Sequence, residues 1–313
     1  MQKLARMGSK ICQGQRLEGQ KALYKVLRPL SRNDENLWLA SDPNSKVVLI
    51  KSAPPTRLEN EIEALKLCQG HKSVRQLVDV IHNPQSLVLE YLDRTLYEAS
   101  CEQKLDRWDV KRAVKSALDG LAVLHAHKRA HTDIKPNNIL ANNSTGNARF
   151  GTIQLGDLGD SVSEDVNTNN GEHIISAPIY RAPEVMLNAR WTVAVDIWSL
   201  GATAICYLLR RHLFVPHGLE PGDEHFALAV LILQNKYFGP FPEKFFQLLD
   251  DEGAAVLRYA INQCGEETHS FAKIDPRTIN SEDKEFILYL MKPDPRDRPS
   301  AIDALMHPWL NGV

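Results

Sequence analysis

One eight-residue stretch constrains this chain more than any other: His131-Thr132-Asp133-Ile134-Lys135-Pro136-Asn137-Asn138. It follows an apolar repeat at helical spacing (Val110, Ala113, Val114, Ala117, Leu118, Leu121, Leu124) and precedes Ile139-Leu140, so it reads as a loop leaving a long helix. Within eight positions it gathers a carboxylate, an ammonium and a side-chain amide. An ordinary surface loop collects the same residue types, so its meaning depends on what surrounds it. Nineteen positions after Asn138 (157 minus 138) comes Asp157-Leu158-Gly159, behind Ile153 and Leu155 of a short strand. Far upstream, Lys51 closes the apolar run Val47-Val48-Leu49-Ile50, and an acidic helix follows it.

Those residue types meet the demands of one reaction. Phosphoryl transfer needs a carboxylate at the attacking hydroxyl, a cation on the γ-phosphate and oxygen ligands for Mg²⁺. Asp133, Lys135 and Asn138 offer these within one loop. Asp157 offers a second metal ligand, and Gly159 permits the turn that follows. Lys51 ends a strand just ahead of that acidic helix. The next helix carries Glu59, Glu61 and Glu63 beside an apolar stripe of Leu58, Ile62 and Leu65. At about 100° per residue, Glu61 falls about 60° from Leu58, and the other two fall about 100° and 140° away. Glu61 alone borders the apolar face, so it is the expected partner of Lys51; the others are expected in solvent.

The rest of the chain supplies a frame for such a cleft. Its 313 residues suit one catalytic unit of two lobes. With 43% hydrophobic and 24% charged residues, bulk disorder is excluded. A net charge of -2 argues against a general nucleic-acid binder or a membrane-surface protein. The longest apolar stretch, 198–209, is interrupted by Ser199, Gly201 and Thr203 and reads as a buried core helix. Five scattered cysteines without a CxxC pair read as reduced thiols of the cytosol or nucleus. Residues 1–22, basic at the start, read as an N-terminal extension with a frayed end. A small, mostly-β lobe spans 23–92, with a hairpin turn at Ser41-Asp42-Pro43-Asn44, a helix opened by a Thr56/Glu59 capping box and a strand at 86–90. A larger, mostly-α lobe spans 93–313.

Taken in order, His131-x-Asp133-x-Lys135-x-x-Asn138, Asp157-x-Gly159, Ala182-Pro183-Glu184 and Asp196-Ile197-Trp198-Ser199-Leu200-Gly201 resemble the eukaryotic protein kinase signature across 24–309. The resemblance implies an α+β, bilobal protein-kinase-like fold and a serine/threonine kinase using ATP and Mg²⁺ on a protein substrate, as a monomer. It implies Asp133, Lys135, Lys51 and Glu61 as catalytic residues and Asn138 and Asp157 as metal ligands. Nucleotide contacts fall to Lys51, gatekeeper Leu89, hinge residues Glu90 and Leu92, and Ser31 and Asn33, which stand where glycines are expected. Glu184 should pair with Arg298, Asp196 should hold the catalytic-loop backbone, and His131 should pack beneath the site. Within kinases, His131-Thr132-Asp133-Ile134-Lys135-Pro136, Tyr180-Arg181-Ala182-Pro183-Glu184-Val185 and Leu213-Phe214-Val215-Pro216-His217 are similar to the SR-protein kinases of the CMGC group. Residues 241–280 stand at the CMGC insert, and the likeness points to an Arg/Ser-rich substrate. Thr132 replaces the arginine that grips an activation-loop phosphate, so activity is expected without that modification.

Three features depart from that family. The segment Leu30-Ser31-Arg32-Asn33-Asp34-Glu35-Asn36-Leu37 lacks the glycine-rich loop and turns Asp34 and Glu35 toward the expected triphosphate. Two like charges about 6 Å apart cost roughly 1–3 kcal/mol. Ala177 stands where a threonine is usual, Ser176 could replace it only by a one-residue slip, and Asn137 stands where a substrate-gripping glutamate is usual. Two other readings stay open. One is a kinase-fold scaffold without turnover; the other is a small-molecule phosphotransferase of the aminoglycoside type, against which Lys135, Glu184 and Arg298 speak.

Overall fold

The computed structural model describes residues 11–31, 34–164, 175–264 and 270–313. The N-terminal part is built on β1 (Arg16–Glu18), β2 (Leu23–Ser31), β3 (Asp34–Ser41), β4 (Val47–Lys51), helix α1 (Pro55–Leu67), β5 (Leu77–His82) and β6 (Gln85–Glu90). Its six strands form one antiparallel sheet in the order β1-β2-β3-β4-β6-β5. The apolar runs of β3 and β4 are nearly continuous because both faces of the sheet are covered. Leu39, Leu49, Leu87 and Leu89 pack on one face with Leu58 and Leu65 of α1. Trp38, Ala40, Val48, Ile50 and Val88 pack on the other with Ile11, Leu17 and Tyr24.

That second layer explains why the sheet takes in residues before the boundary drawn at 23. Leu17 is 2% exposed, and burying such a side chain contributes about 1.5–3 kcal/mol. The hairpin turn also shifts. Ser41 still pairs with Val47, and the turn is made by Asp42, whose Oδ1 accepts from the Asn44 and Lys46 N–H groups at 2.9 and 2.8 Å. The capping box expected at Thr56 and Glu59 is not formed. Pro54 is the N-cap, without a side-chain cap, and Pro55 opens the helix. Proline at the first helical position needs no N–H partner and has the helical φ already set, so Thr56 sits one position inside.

The C-terminal part holds β7 (Arg94–Thr95), α2 (Leu96–Glu102), α3 (Arg107–Ala126), β8 (Arg129–Ala130), β9 (Ile139–Asn143), β10 (Phe150–Leu155), β11 (Val162–Ser163), α4 (Pro183–Met186), α5 (Ala194–Leu209), α6 (Phe226–Phe238), α7 (Asp251–Gln263), α8 (Ser281–Leu290) and α9 (Ala301–Leu305). Asp106 caps α3 by accepting the Asp109 N–H at 2.7 Å, and the predicted stripe from Val110 to Leu124 is its buried face. Helix α5 is buried without a break from Val195 to Tyr207, so its apolarity serves the core. A side chain at Gly201 would lie 2.3 Å from Met291 Cγ, which is why this helix needs glycine where Met291 crosses it. Within 241–280, α7 packs Leu257 and Ala260 against Leu231, Phe241 and Phe245. The architecture is α+β: a sheet-rich N-terminal lobe, a helical C-terminal lobe, and Tyr91 to Asp93 passing between them. Among the described residues, no helix is long and apolar enough to cross a membrane.

Candidate active site

Four chain segments meet where the lobes face each other. Strand β4 pairs Lys51 with Leu37 on one side and Leu87 on the other, so its end is fixed in the sheet. The Lys51 ammonium lies 3.0 and 2.7 Å from Glu61 Oε1 and Oε2, and 2.6 Å from Asp157 Oδ1. Glu61 is 1% exposed on the inner face of α1, and Glu59 and Glu63 are in solvent. The helical geometry that singled out Glu61 thus coincides with its burial. Burial alone would raise the Asp157 pKa, but the Lys51 ammonium, helped by Arg57, holds it below its ordinary value. Asp157 has a left-handed backbone, φ 59°.

The catalytic-loop candidates are shaped from below by Asp196, in the first turn of α5. Its Oδ2 accepts the His131 N–H at 2.7 Å and its Oδ1 the Thr132 N–H at 2.9 Å. His125 Nε2 lies 2.9 Å from the same carboxylate. These bonds hold Thr132 at φ 65°, which is unfavourable for a β-branched residue. His131 is fully buried. Its Nδ1 accepts the Asp133 N–H at 3.3 Å, and its Nε2 lies 3.1 Å from the Gly156 carbonyl, which can only accept. The hydrogen bonds therefore define the neutral Nε2–H tautomer and leave no proton for a substrate.

Above this floor, Lys135 Nζ lies 2.7 Å from Asp133 Oδ2, and Asn138 Nδ2 donates to the same oxygen at 2.9 Å and to the Asp133 carbonyl at 2.8 Å. Asp133 Oδ1 has no hydrogen-bond partner among the described residues, nor has Asn138 Oδ1 or Asp157 Oδ2. Asn138 and Asp157 thus each present one hard oxygen, a donor set suited to a magnesium ion that keeps its other ligands from water and phosphate. No cluster of three His, Cys, Asp or Glu able to hold a metal occurs among the described residues.

A cavity of about 600 Å³ runs from Lys51, Asn138 and Asp157 to Leu92. Ser31 and Asp34 also line it, and Asn33 lies outside the described residues together with Arg32. The pair Ser31↔Asp34 closes β2 on β3, so one of the two expected carboxylates faces the cavity; Glu35 does not line it. Leu89 and Glu90 do not line the cavity either. Leu89 is 1% exposed inside the α1-side core, and the Glu90 carboxylate turns to Gln154 Nε2 at 3.3 Å. Arg75 stands in the cavity wall, its Nε donating to the Glu90 carbonyl at 2.7 Å. Burial lowers the Arg75 pKa to about 10, so the side chain stays charged at neutral pH. An arginine ahead of the β5 strand reads as a surface residue, and nothing in the local pattern marks it as turned inward.

A second set of contacts carried no local sequence signal. From α1, Arg57 pairs with Asp160 at 2.8 Å, and Asn60 Nδ2 donates to the Gly159 and Ser161 carbonyls, each at 2.8 Å. Arg129 reaches Ser161 Oγ at 2.9 Å and also bonds Asn60 Oδ1. Thr132 Oγ1 donates to the Asp160 carbonyl at 2.6 Å, and Ser176 Oγ donates to the Thr132 carbonyl at 2.7 Å. Ser176 therefore ties its segment to the loop backbone and leaves the Asp133 side chain alone. Ala177 lines a second cavity of about 770 Å³ beside Tyr180, His212 and Phe226, and Asn137 lines both cavities. Glu184 and Arg298 form a fully buried two-point pair at 2.7 and 2.8 Å.

The family model described as a protein kinase domain matches residues 43–310. The match starts after β1 and the β2–β3 hairpin, where the chain departs most from the expected pattern, and takes in every element from β4 onward.

Proposed function

The chain belongs to the protein kinase domain family, and from that premise we propose that its cleft transfers the γ-phosphate of ATP to a serine or threonine hydroxyl of a protein, in the manner of SR-protein kinases of the CMGC group. The observation that carries this reading is the meeting of Lys51 with Glu61 and Asp157 at 3.0 Å or less, in one cleft with Asp133, Lys135 and Asn138. Protein kinase domains generally use ATP with Mg²⁺. Lys51, positioned by Glu61, supplies the cation for the α- and β-phosphates. Asp133 accepts the substrate hydroxyl proton at its open Oδ1 as that oxygen bonds to phosphorus and the bond to the departing ADP breaks. Lys135 balances the charge on the transferred group, and Asn138 fixes the Asp133 carboxylate. Asn138 and Asp157 would hold magnesium, which, when bound, neutralises phosphate oxygens.

The likeness to SR-protein kinases rests on the catalytic and substrate-loop motifs. A grip on arginine has less support. Asn137 replaces the glutamate, Asp160 is taken by Arg57, and Glu164 accepts the Val193 N–H at 2.6 Å. Asp160 and Glu164 are thus already engaged, so an Arg-Ser peptide should exceed other serine peptides by less than about tenfold. A non-transferring scaffold is the second reading, favoured by Asp34 in the cavity and by Arg75 on the Glu90 carbonyl. Incubation with Mg²⁺ and γ-labelled ATP, on an Arg-Ser peptide, a generic basic protein and a tyrosine peptide, tests the choice by phosphoamino-acid analysis. Label on serine or threonine supports the proposal; label on tyrosine alone, or nucleotide binding without any label, overturns it.

A further inference from the structure

We propose that Arg75 makes the base end of this cleft select a purine bearing a ring carbonyl, as guanine does, over adenine. The inference rests on the phosphoryl-transfer reading and adds the identity of the donor nucleotide. Arg75 is fixed by its backbone: its N–H donates to the Leu155 carbonyl at 2.9 Å, two residues before Asp157. Its side chain then runs over Gly156. A Cβ at that glycine would lie 3.7 Å from Arg75 Cδ and 2.7 Å from Leu140 Cδ1, so the glycine keeps this floor low. The guanidinium ends against the last residue of β6, with Nε on the Glu90 carbonyl at 2.7 Å.

That carbonyl lies at the edge of the crossing between lobes, where the kinase resemblance puts the base. It already has a donor. The adenine amino group is also a donor, so even though a carbonyl oxygen can accept two hydrogen bonds, it would share that oxygen beside the Arg75 guanidinium, donor next to donor. The terminal nitrogens of Arg75 make no hydrogen bond to the described residues, although the side chain is within electrostatic reach of Glu61, Asp157 and Glu90. Arg75 is half-buried in the cavity wall, and a guanidinium has donors to spare after Nε is used. A carbonyl oxygen at the six-position of a purine supplies the missing acceptor and leaves the Glu90 bond intact. A charge-assisted hydrogen bond gained by one base and denied to the other corresponds to about ten- to hundredfold in affinity.

The test measures binding and transfer with the magnesium salts of ATP, GTP and ITP, for the full chain and for Arg75→Val and Arg75→Leu. Inosine carries the oxygen without the amino group of guanine, so it isolates the oxygen. The wild type is expected to bind GTP and ITP at least as tightly as ATP. Each substitution should move the GTP-to-ATP and ITP-to-ATP ratios toward ATP by about tenfold or more. A wild type that favours ATP tenfold, or ratios unchanged by both substitutions, overturns the assignment while leaving kinase activity standing. Folded proteins that bind none of the three nucleotides, wild type and variants alike, overturn the kinase reading and this inference with it.

Discussion

Lys51 answers two carboxylates with one ammonium, and that arithmetic sets what its loss would do. Glu61 is buried, and replacing Lys51 by methionine leaves its charge without a partner. Breaking such a pair costs about 3–5 kcal/mol. We expect Lys51→Met to lower the unfolding free energy by about 3 kcal/mol and to abolish transfer. The double variant Lys51→Met/Glu61→Leu should recover much of the stability and none of the activity, as chemical denaturation beside an activity assay would show. Asp157 gives a pH dependence with a defined sign. Its folded pKa lies below the ordinary 3.8, so its stabilisation is fully present above that value and is lost as pH falls through it toward the folded pKa. The stability gap between wild type and Asp157→Asn should therefore narrow as pH drops from 7 to 3, and a constant gap would refute the assignment. At this scale the sequence was informative where chemistry and periodicity coincide. Glu61 was legible because burial follows helical angle. Arg75 was not, because only the packing of β5 against the β10 exit turns it inward.

Helix α1 and the segment after Asp157 behave as one joined element. Arg57, Asn60, Arg129 and Thr132 hold Asp160 and Ser161 through hydrogen bonds and one exposed ion pair that need no phosphate to form. We expect phosphatase treatment to change turnover by less than about twofold, and Asn60→Ala to reduce it by about tenfold, since one lost buried hydrogen-bonding side chain is worth about 1–3 kcal/mol. Loss of activity on dephosphorylation alone would show that the latch is insufficient. The elements themselves were mostly visible in the sequence. The periods of α1, α3 and α5 and the apolar runs of β3, β4 and β6 reappear as helices and strands. What escaped were ends and edges. Pro55 set the start of α1 in place of the Thr56 side chain, and β1 is too short to show alternation, joining the sheet only because Leu17 covers its outer face.

Over the whole molecule, the substrate-side loop is anchored to the C-terminal helices by Glu184 and Arg298, 114 positions apart and both fully buried. Arg298→Met should cost about 3–5 kcal/mol by stranding Glu184, seen as a lower urea midpoint with an unchanged slope; a shift below about 1 kcal/mol would mean water reaches the site. The order of the motifs along the chain gave the two-lobed plan, because each motif is useful only where the others converge. The cavity between the lobes was less legible: Leu89 and Glu90 turn their side chains away from it, and Arg75 stands in its wall. The claim beneath all of this is that Asp133 works on a hydroxyl held beside a nucleotide gripped by Lys51 and Asp157. Single-turnover transfer of γ-phosphate to a serine peptide, wild type against Asp133→Asn, tests it directly. The account predicts a fall of about 10²–10⁴-fold with nucleotide affinity and melting temperature preserved. Equal transfer by the two proteins would contradict it.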